Sequence, residues 1–256
     1  MREIFDPIRD HYTFAQPCCE LADHIDFFSE SVVNGFEFTV EMFPSWTPTM
    51  YINLGSTYRI SLNNSAFAID RDMDILVLRD LHTTRHNLAG DRIFTIKFKP
   101  GGLEAILGIS QVHMKGKVIP LRFILPMHLI EQLKNSLSFA TRSKIMEEYL
   151  IAKHEARLTD HYLTFVQDLT ETYQNTHLQL NVSQLAEKHF VTPKSVNRYF
   201  HRVIGISPKG YFSILRARTA LTAYVKREEF DPAKFGYYDS SHFYREAAKF
   251  TGVRLG

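Results

Sequence analysis

Along the first 120 residues, apolar and polar side chains alternate in short runs. Phe36–Phe43 (FEFTVEMF) and Arg92–Lys99 (RIFTIKFK) alternate closely, Met50–Gly55 (MYINLG) does so more loosely, and Ile75–Leu78 is an apolar run of strand length. Pro44-Ser45-Trp46-Thr47-Pro48, Asn63-Asn64-Ser65 and Pro100-Gly101-Gly102 separate these runs as turns. Short strands at this spacing predict a small β-barrel or sandwich rather than a parallel sheet with crossover helices. Leu103, Ala105, Ile106 and Leu107 predict a short helix that closes the region, and Leu81–Asn87 (LHTTRHN), set among charged residues, reads as a loop.

From Pro126 the period becomes helical. Leu129, Ile130, Leu133 and Leu137 form one stripe, Ile145, Tyr149 and Ala152 a second, and Leu158, Tyr162, Phe165, Val166 and Leu169 a third. Gln174–His177 reads as a linker. The chain therefore divides into a β-rich domain over 1–125, a helical connector over 126–175 and an all-α domain over 176–256, an α+β protein overall.

The last of these carries the most specific pattern. Asn181 caps a helix with Val182, Leu185, Ala186 and Phe190 on its apolar side. Thr192-Pro193 then supply a cap and a first-position proline for a helix whose buried stripe is Val196, Tyr199, Phe200 and Val203. Its opposite face shows Lys194, Ser195, Asn197, Arg198, His201 and Arg202. Two short helices with a sharp turn, the second presenting donors, form a helix-turn-helix able to set side chains against base edges in a major groove. Gly205-Ile206-Ser207-Pro208 ends that helix and starts another, striped by Ile214, Ala217, Leu221 and Tyr224. Asp231-Pro232 begin a short helix, Gly236 breaks it, and Asp239 caps a further one to about Phe250. A second helix-turn-helix follows, and the stiff helix between the two could place them in successive grooves about 34 Å apart.

Charge sharpens this picture. The formal net charge is only +2, yet residues 176–256 hold 13 Lys and Arg against 6 Asp and Glu, a net of +7, while residues 1–175 hold 17 against 22, a net of −5. A basic half joined to an acidic one predicts that only the former meets a polyanion. No run reaches the roughly 18 apolar residues of a membrane span, and the charged first residues lack a secretory signal, so a cytoplasmic protein without membrane association is expected. The two cysteines, Cys18 and Cys19, are adjacent and give neither a disulfide framework nor a zinc pair.

The strings Leu185–Leu221 and Phe235–Gly252 resemble the AraC-type bacterial transcription regulators. The shared order is Leu185-Ala186, Arg198 and Phe200, Gly205, Ser207, Pro208 and Tyr211, then Arg216 and Ala220. PSWTPTMYINLG and FTIKFKPGGLEAILGI resemble, less closely, the cupin-like barrel domain fused to a subset of that family. The resemblance implies a sequence-specific regulator that binds double-stranded DNA. It further implies RNA polymerase as a partner, a small-molecule effector or homodimerisation through the N-terminal domain, no cofactor, and no catalysis. It assigns DNA contacts to Lys194, Asn197 and Arg198 in the first unit and to Ser240, Ser241, His242, Tyr244 and Arg245 in the second; Ser195 and Arg202 share the first unit's polar face. Arg198 and Arg245 can pair bidentately with guanine, and Asn197 with adenine. The chain departs from the family at Asp231-Pro232, where an Ile-Ala pair is usual, at Ala247, where a Phe is usual, and at Gly252–Gly256, which lack a closing Ser-Pro.

Two other classes compete. His82 and His86, with Glu41 or Asp80, could form a metal site in an enzyme, although the His-x-His-plus-Glu spacing of metal-binding cupins is missing. The departures at Pro232 and Ala247 suit an interaction module that has kept the regulator fold without DNA binding. Trp46, Tyr51, Tyr58, Phe94 and Phe98 are the aromatic residues that either line a sensor pocket or fill the core.

Overall fold

The computed structural model describes residues 11–33, 35, 37–62, 65–158, 160–226 and 230–251, and its contacts divide these into two units, one ending at 158 and one beginning at 160. Within the first unit, ten antiparallel strands form two sheets. β1 (Tyr12–Ala15), β2 (Ile25–Val32), β4 (Pro48–Asn53), β7 (Ile75–Leu78), β9 (Arg92–Phe98) and β10 (Val118–Pro120) make a six-stranded sheet in the order β1-β2-β9-β4-β7-β10. β3 (Phe38–Met42), β5 (Tyr58–Leu62), β6 (Ser65–Ile69) and β8 (Thr83–Asn87) make a four-stranded one in the order β3-β8-β5-β6. Between them Tyr51, Ile75, Val77 and Ile93 of the larger sheet meet Tyr58, Ile60 and Ile69 of the smaller. The expected sandwich is therefore present, with its inner and outer faces set by the two-residue alternation of each strand.

The segment Leu81–Asn87, read as a loop, contains strand β8 instead. Thr83, Arg85 and Asn87 are its core-facing residues, so the alternation is there but polar on the buried side. The same strand carries His86 outward, with Nδ1 3.3 Å from Thr39 Oγ1, whereas His82 precedes it and lies 3.9 Å from Glu41 Oε2. Among the described residues no three His, Cys, Asp or Glu side chains are gathered for a metal ion. Cys18 and Cys19 are free thiols, the second exposed.

Helices cover the outer face of the six-stranded sheet. α1 (Gly102–Leu107) begins so close to the chain before β2 that a Cβ on Gly102 would fall 2.0 Å from the His24 carbonyl oxygen. α2 (Met127–Asn135) buries Leu129, Ile130 and Leu133 as expected, but Leu137 lies beyond its end and is exposed. α3 (Phe139–Glu155) buries Arg142, Ser143, Met146 and Leu150, a phase one residue off the expected Ile145–Tyr149–Ala152 stripe, because its first inward positions are polar. Phe139 sets its ring edge against Phe94, and Arg142 reaches Glu30 of β2.

α4 (His161–Asn175) belongs to the second unit, whereas residues 126–158 of the expected connector belong to the first. The cause is the partner of α4: Tyr162 and Phe165 pack on Tyr199, and Tyr173 stacks on Phe212 at 4.2 Å. Leu158, at the head of its expected stripe, is exposed. α5 (Val182–Lys188) opens with a capping box of Asn181 and Gln184, α6 (Pro193–Val203) with Thr192, and α7 (Pro208–Val225) with Ser207. Phe190, expected on the apolar side of α5, instead sits exposed at φ 55° in the turn between α5 and α6. Pro232–Phe235 make a single 3-10 turn, and α8 (Ser240–Thr251) completes the unit. Ala247, where the family carries a Phe, is fully buried in a cluster with Ala220, Leu221, Tyr237 and Phe243, onto which Tyr224, Phe230, Phe235 and Phe250 pack. The departure at Gly252–Gly256 lies outside the described residues.

Candidate nucleic-acid interface

The α5–α6 pair presents the polar face that its spacing predicts. Val196, Phe200 and Val203 are buried, while Lys194, Asn197 and Arg198 are exposed together on the other side of α6. The Arg198 guanidinium lies 5.2 Å from the centre of the Tyr199 ring, with Nη2 3.4 Å from the Tyr199 hydroxyl. Tyr199 is held in turn by the edges of Tyr162 and Phe165, so the arginine leaves the helix over a fixed aromatic base. No carboxylate pairs with it among the described residues. This is a donor fork available to an external acceptor, supported by packing against α4 rather than by another charge.

Two other candidates on α6 are already engaged. The Ser195 hydroxyl is 3.0 Å from Thr192 Oγ1 within the cap, and Arg202 donates from Nη2 to Asp160 Oδ2 at 3.2 Å. Asp160 also caps α4 by accepting from the Tyr162 amide, so one carboxylate ties the start of α4 to the end of α6. Nothing in the sequence points to this ion pair with Arg202.

On α8 the expected residues are likewise brought to one end of a helix. Ser240, Ser241, Tyr244 and Arg245 are exposed, and Arg245 Nε donates to the Ser241 carbonyl at 3.3 Å. Asp239 accepts from the His242 amide at 2.7 Å, while the His242 ring lies edge-on to Tyr237. Tyr244 packs against Tyr224 and Phe243.

What orients α8 lies on its inner side and escaped the sequence reading. Glu246 accepts both Nε and Nη2 of Arg216 on α7, at 2.9–3.2 Å, and also the Ser213 hydroxyl. Arg216 itself stands 4.7 Å from the centre of the Tyr237 ring. Burial works against the charge of Glu246, but the hydrogen bonds from Arg216 and Ser213 overcome it and hold the carboxyl below its ordinary range. A depressed carboxylate pKa stabilises the fold at neutral pH, and this contribution disappears as the pH falls below about 4.5. Glu246→Gln should therefore cost about 1–3 kcal/mol at pH 7. The penalty should shrink towards pH 3, as measured by far-ultraviolet circular dichroism of chemically denatured protein; a penalty constant with pH would show that the charge plays no part.

No family model matches the chain, and no curated protein matches it. Solved structures do. ToxT from Vibrio cholerae, in a structure at 1.65 Å resolution, aligns with 11% identity and a TM-score of 0.46 over 86% of this chain and 95% of that one. ToxT from Vibrio cholerae O395 aligns with 8% identity and a TM-score of 0.48 over 96% and 95%. The cupin-2 domain of an XRE-family transcriptional regulator from Enterobacter cloacae aligns with 10% identity and a TM-score of 0.29 over 35% of this chain and 95% of that domain.

Proposed function

We propose that the protein is a sequence-specific, non-enzymatic regulator of transcription that binds double-stranded DNA through its helical unit, with the β unit as its sensing or dimerising half. One observation carries the reading: Lys194, Asn197 and Arg198 stand exposed on one face of α6, backed by a closed apolar stripe and, among the described residues, without acidic partners. An α-helix is about 10–12 Å across and fits a major groove about 12 Å wide, and the 11 residues of α6 supply three turns to lie in it. Residues on that face meet base edges, while the exposed Ser240, Ser241 and Arg245 on α8 contact backbone phosphates and fix the register. α7, at 18 residues, provides the rigid spacer between the two. No helix among the described residues is long and apolar enough to cross a membrane.

The test is binding of the full chain to genomic fragments across a salt series. A selected sequence should emerge, and log affinity should fall against log salt with a slope of about −0.9 for each phosphate neutralised. An affinity that ignores both sequence and salt would remove the proposal. Within the selected site, Arg198→Ala should lose about 1–3 kcal/mol of discrimination at one base pair, whereas Lys188→Ala, on the exposed end of α5, should leave it unchanged. Losses from Arg198→Ala that are equal on all sequences would deny it the base-reading role.

A further inference from the structure

The turn between α5 and α6 places a large apolar side chain where the backbone favours glycine. Phe190 has φ 55° and is 96% exposed. Two hydrogen bonds close this end of α5, from the Val191 amide to the Ala186 carbonyl at 2.9 Å and from the Phe190 amide to the Glu187 carbonyl at 3.0 Å. In a helix end closed this way the residue at the place of Phe190 is left-handed, a conformation that crowds any Cβ, and glycine is its usual occupant. The turn before α8 has glycine at its left-handed position, Gly236 at φ 72°.

Three other non-glycine residues among the described ones have a positive φ. Trp46 and Leu178 are buried, so their packing offsets the strain, and His177 is exposed but polar. Leu137 and Leu158 are as exposed as Phe190 without the backbone strain. Phe190 combines the two costs, and neither local geometry nor packing within the unit compensates them. Its position is nevertheless firm. His189, the preceding residue, has Nε2 3.0 Å from Thr172 Oγ1 and its ring edge-on to Phe165, which ties the turn to α4. On the other side Thr192 caps α6. The ring therefore leaves the fold from a fixed point.

That point lies two residues before the Thr192 cap and four before Lys194, at the end of α6 whose first residues meet base edges in a helix-turn-helix. Lys188 and Lys194, both exposed, bracket it along the chain, within a region of net charge +7. A ring in these surroundings is set against a polyanion. We infer that Phe190 is a specificity-determining residue of the DNA interface, its ring covering the 5-methyl group of one thymine at the edge of the major groove. That methyl is the apolar mark among the donors and acceptors of the groove, and phenylalanine is one of the side chains suited to it. The inference rests on the DNA-binding reading and adds an apolar contact to the polar ones of Lys194, Asn197 and Arg198.

The probes are the duplex that the full chain selects from genomic fragments and copies of it with each thymine in turn replaced by deoxyuridine. That exchange removes one methyl group and leaves the hydrogen-bonding edge unchanged. For the parent chain one replacement should weaken binding about 3–5-fold, the burial of a single methyl. Phe190→Gly should bind the unmodified duplex about 5–20-fold more weakly and should no longer sense that replacement. It should melt no lower than the parent by far-ultraviolet circular dichroism, because glycine relieves the backbone. Trp46, the single tryptophan, is buried in the β unit, and its fluorescence should be unchanged as an internal control. Phe190→Asn, which also tolerates the left-handed turn, should behave as Phe190→Gly does. Parent affinity in both variants, or a loss coupled to no thymine methyl, would overturn the inference. A variant that melts well below the parent would make Phe190 a structural residue and overturn it equally. Each of these outcomes leaves the regulator reading standing; a parent chain that selects no sequence removes that reading, and the inference with it.

Discussion

Glu30→Gln is expected to destabilise the β unit by about 3–5 kcal/mol. Glu30 projects from the outer face of β2 and is 4% exposed. It accepts Nε of Arg142 at 2.8 Å and Nη2 at 3.1 Å, and Nε of Arg92 at 2.7 Å. Arg142 is 1% exposed and also donates to the Ser136 carbonyl, so the triad fastens α3, and the turn before it, to the six-stranded sheet. An amide of the same shape retains one acceptor but no charge, leaving a buried guanidinium uncompensated; Arg92 is 40% exposed and can turn to water. Urea titration followed by Trp46 fluorescence isolates this unit from the helical one. Replacing the whole buried pair, Glu30→Met with Arg142→Met, should recover most of the loss, because no orphan charge remains. A double variant as weak as Glu30→Gln would mean that the ion pair adds real stability instead of merely cancelling its own desolvation.

The same triad shows why part of the β unit was hidden from a reading based on apolar periodicity. β2 reads Ile-Asp-Phe-Phe-Ser-Glu-Ser-Val and is buried on both faces, so hydrophobic alternation does not mark it, and Ser29, Glu30 and Ser31 look like a turn. β8 inverts the usual code, with Thr83, Arg85 and Asn87 inside. β3, β4, β7 and β9 were legible because at least one buried face is apolar. The helical unit was more legible because its signals are local. Asn181 and Gln184, Thr192-Pro193 and Ser207-Pro208 each satisfy helix-end donors within a few residues, so the sequence neighbourhood alone determines the turns. Arg216–Glu246 and Asp160–Arg202 span 30 and 42 residues, and their alignment depends on how helices cross. The inward residues Phe243 and Ala247 of α8 follow helical spacing from its cap at Asp239. That the adjoining Glu246 would turn towards α7 was not foreseeable.

Phe200→Ala is expected to cost the helical unit about 3–5 kcal/mol and, through that, its grip on DNA. Phe200 is fully buried at the centre of α6's inner stripe. Its ring lies 5.2 Å from Phe212 and 5.9 Å from Tyr211, and Phe212 is stacked on Tyr173 of α4. Removing the ring opens a cavity at the point where α4, α6 and α7 converge. The exposed residues of α6 keep their chemistry but lose their bearing. Binding should therefore weaken on every duplex alike, in contrast to the single-position effect of Arg198→Ala. Trp46 fluorescence should be unaffected, since the lesion is in the other unit. If the protein has the proposed function, duplex binds only the folded unit, so saturating DNA should raise the melting temperature of Phe200→Ala by mass action, and cooling should restore much of its affinity. Neither treatment should restore base discrimination in Arg198→Ala, where the fold is intact and the donor is gone. If Phe200→Ala instead binds its selected site with normal affinity despite a softened fold, α6 is not the element whose orientation sets recognition, and base reading must be sought on α8.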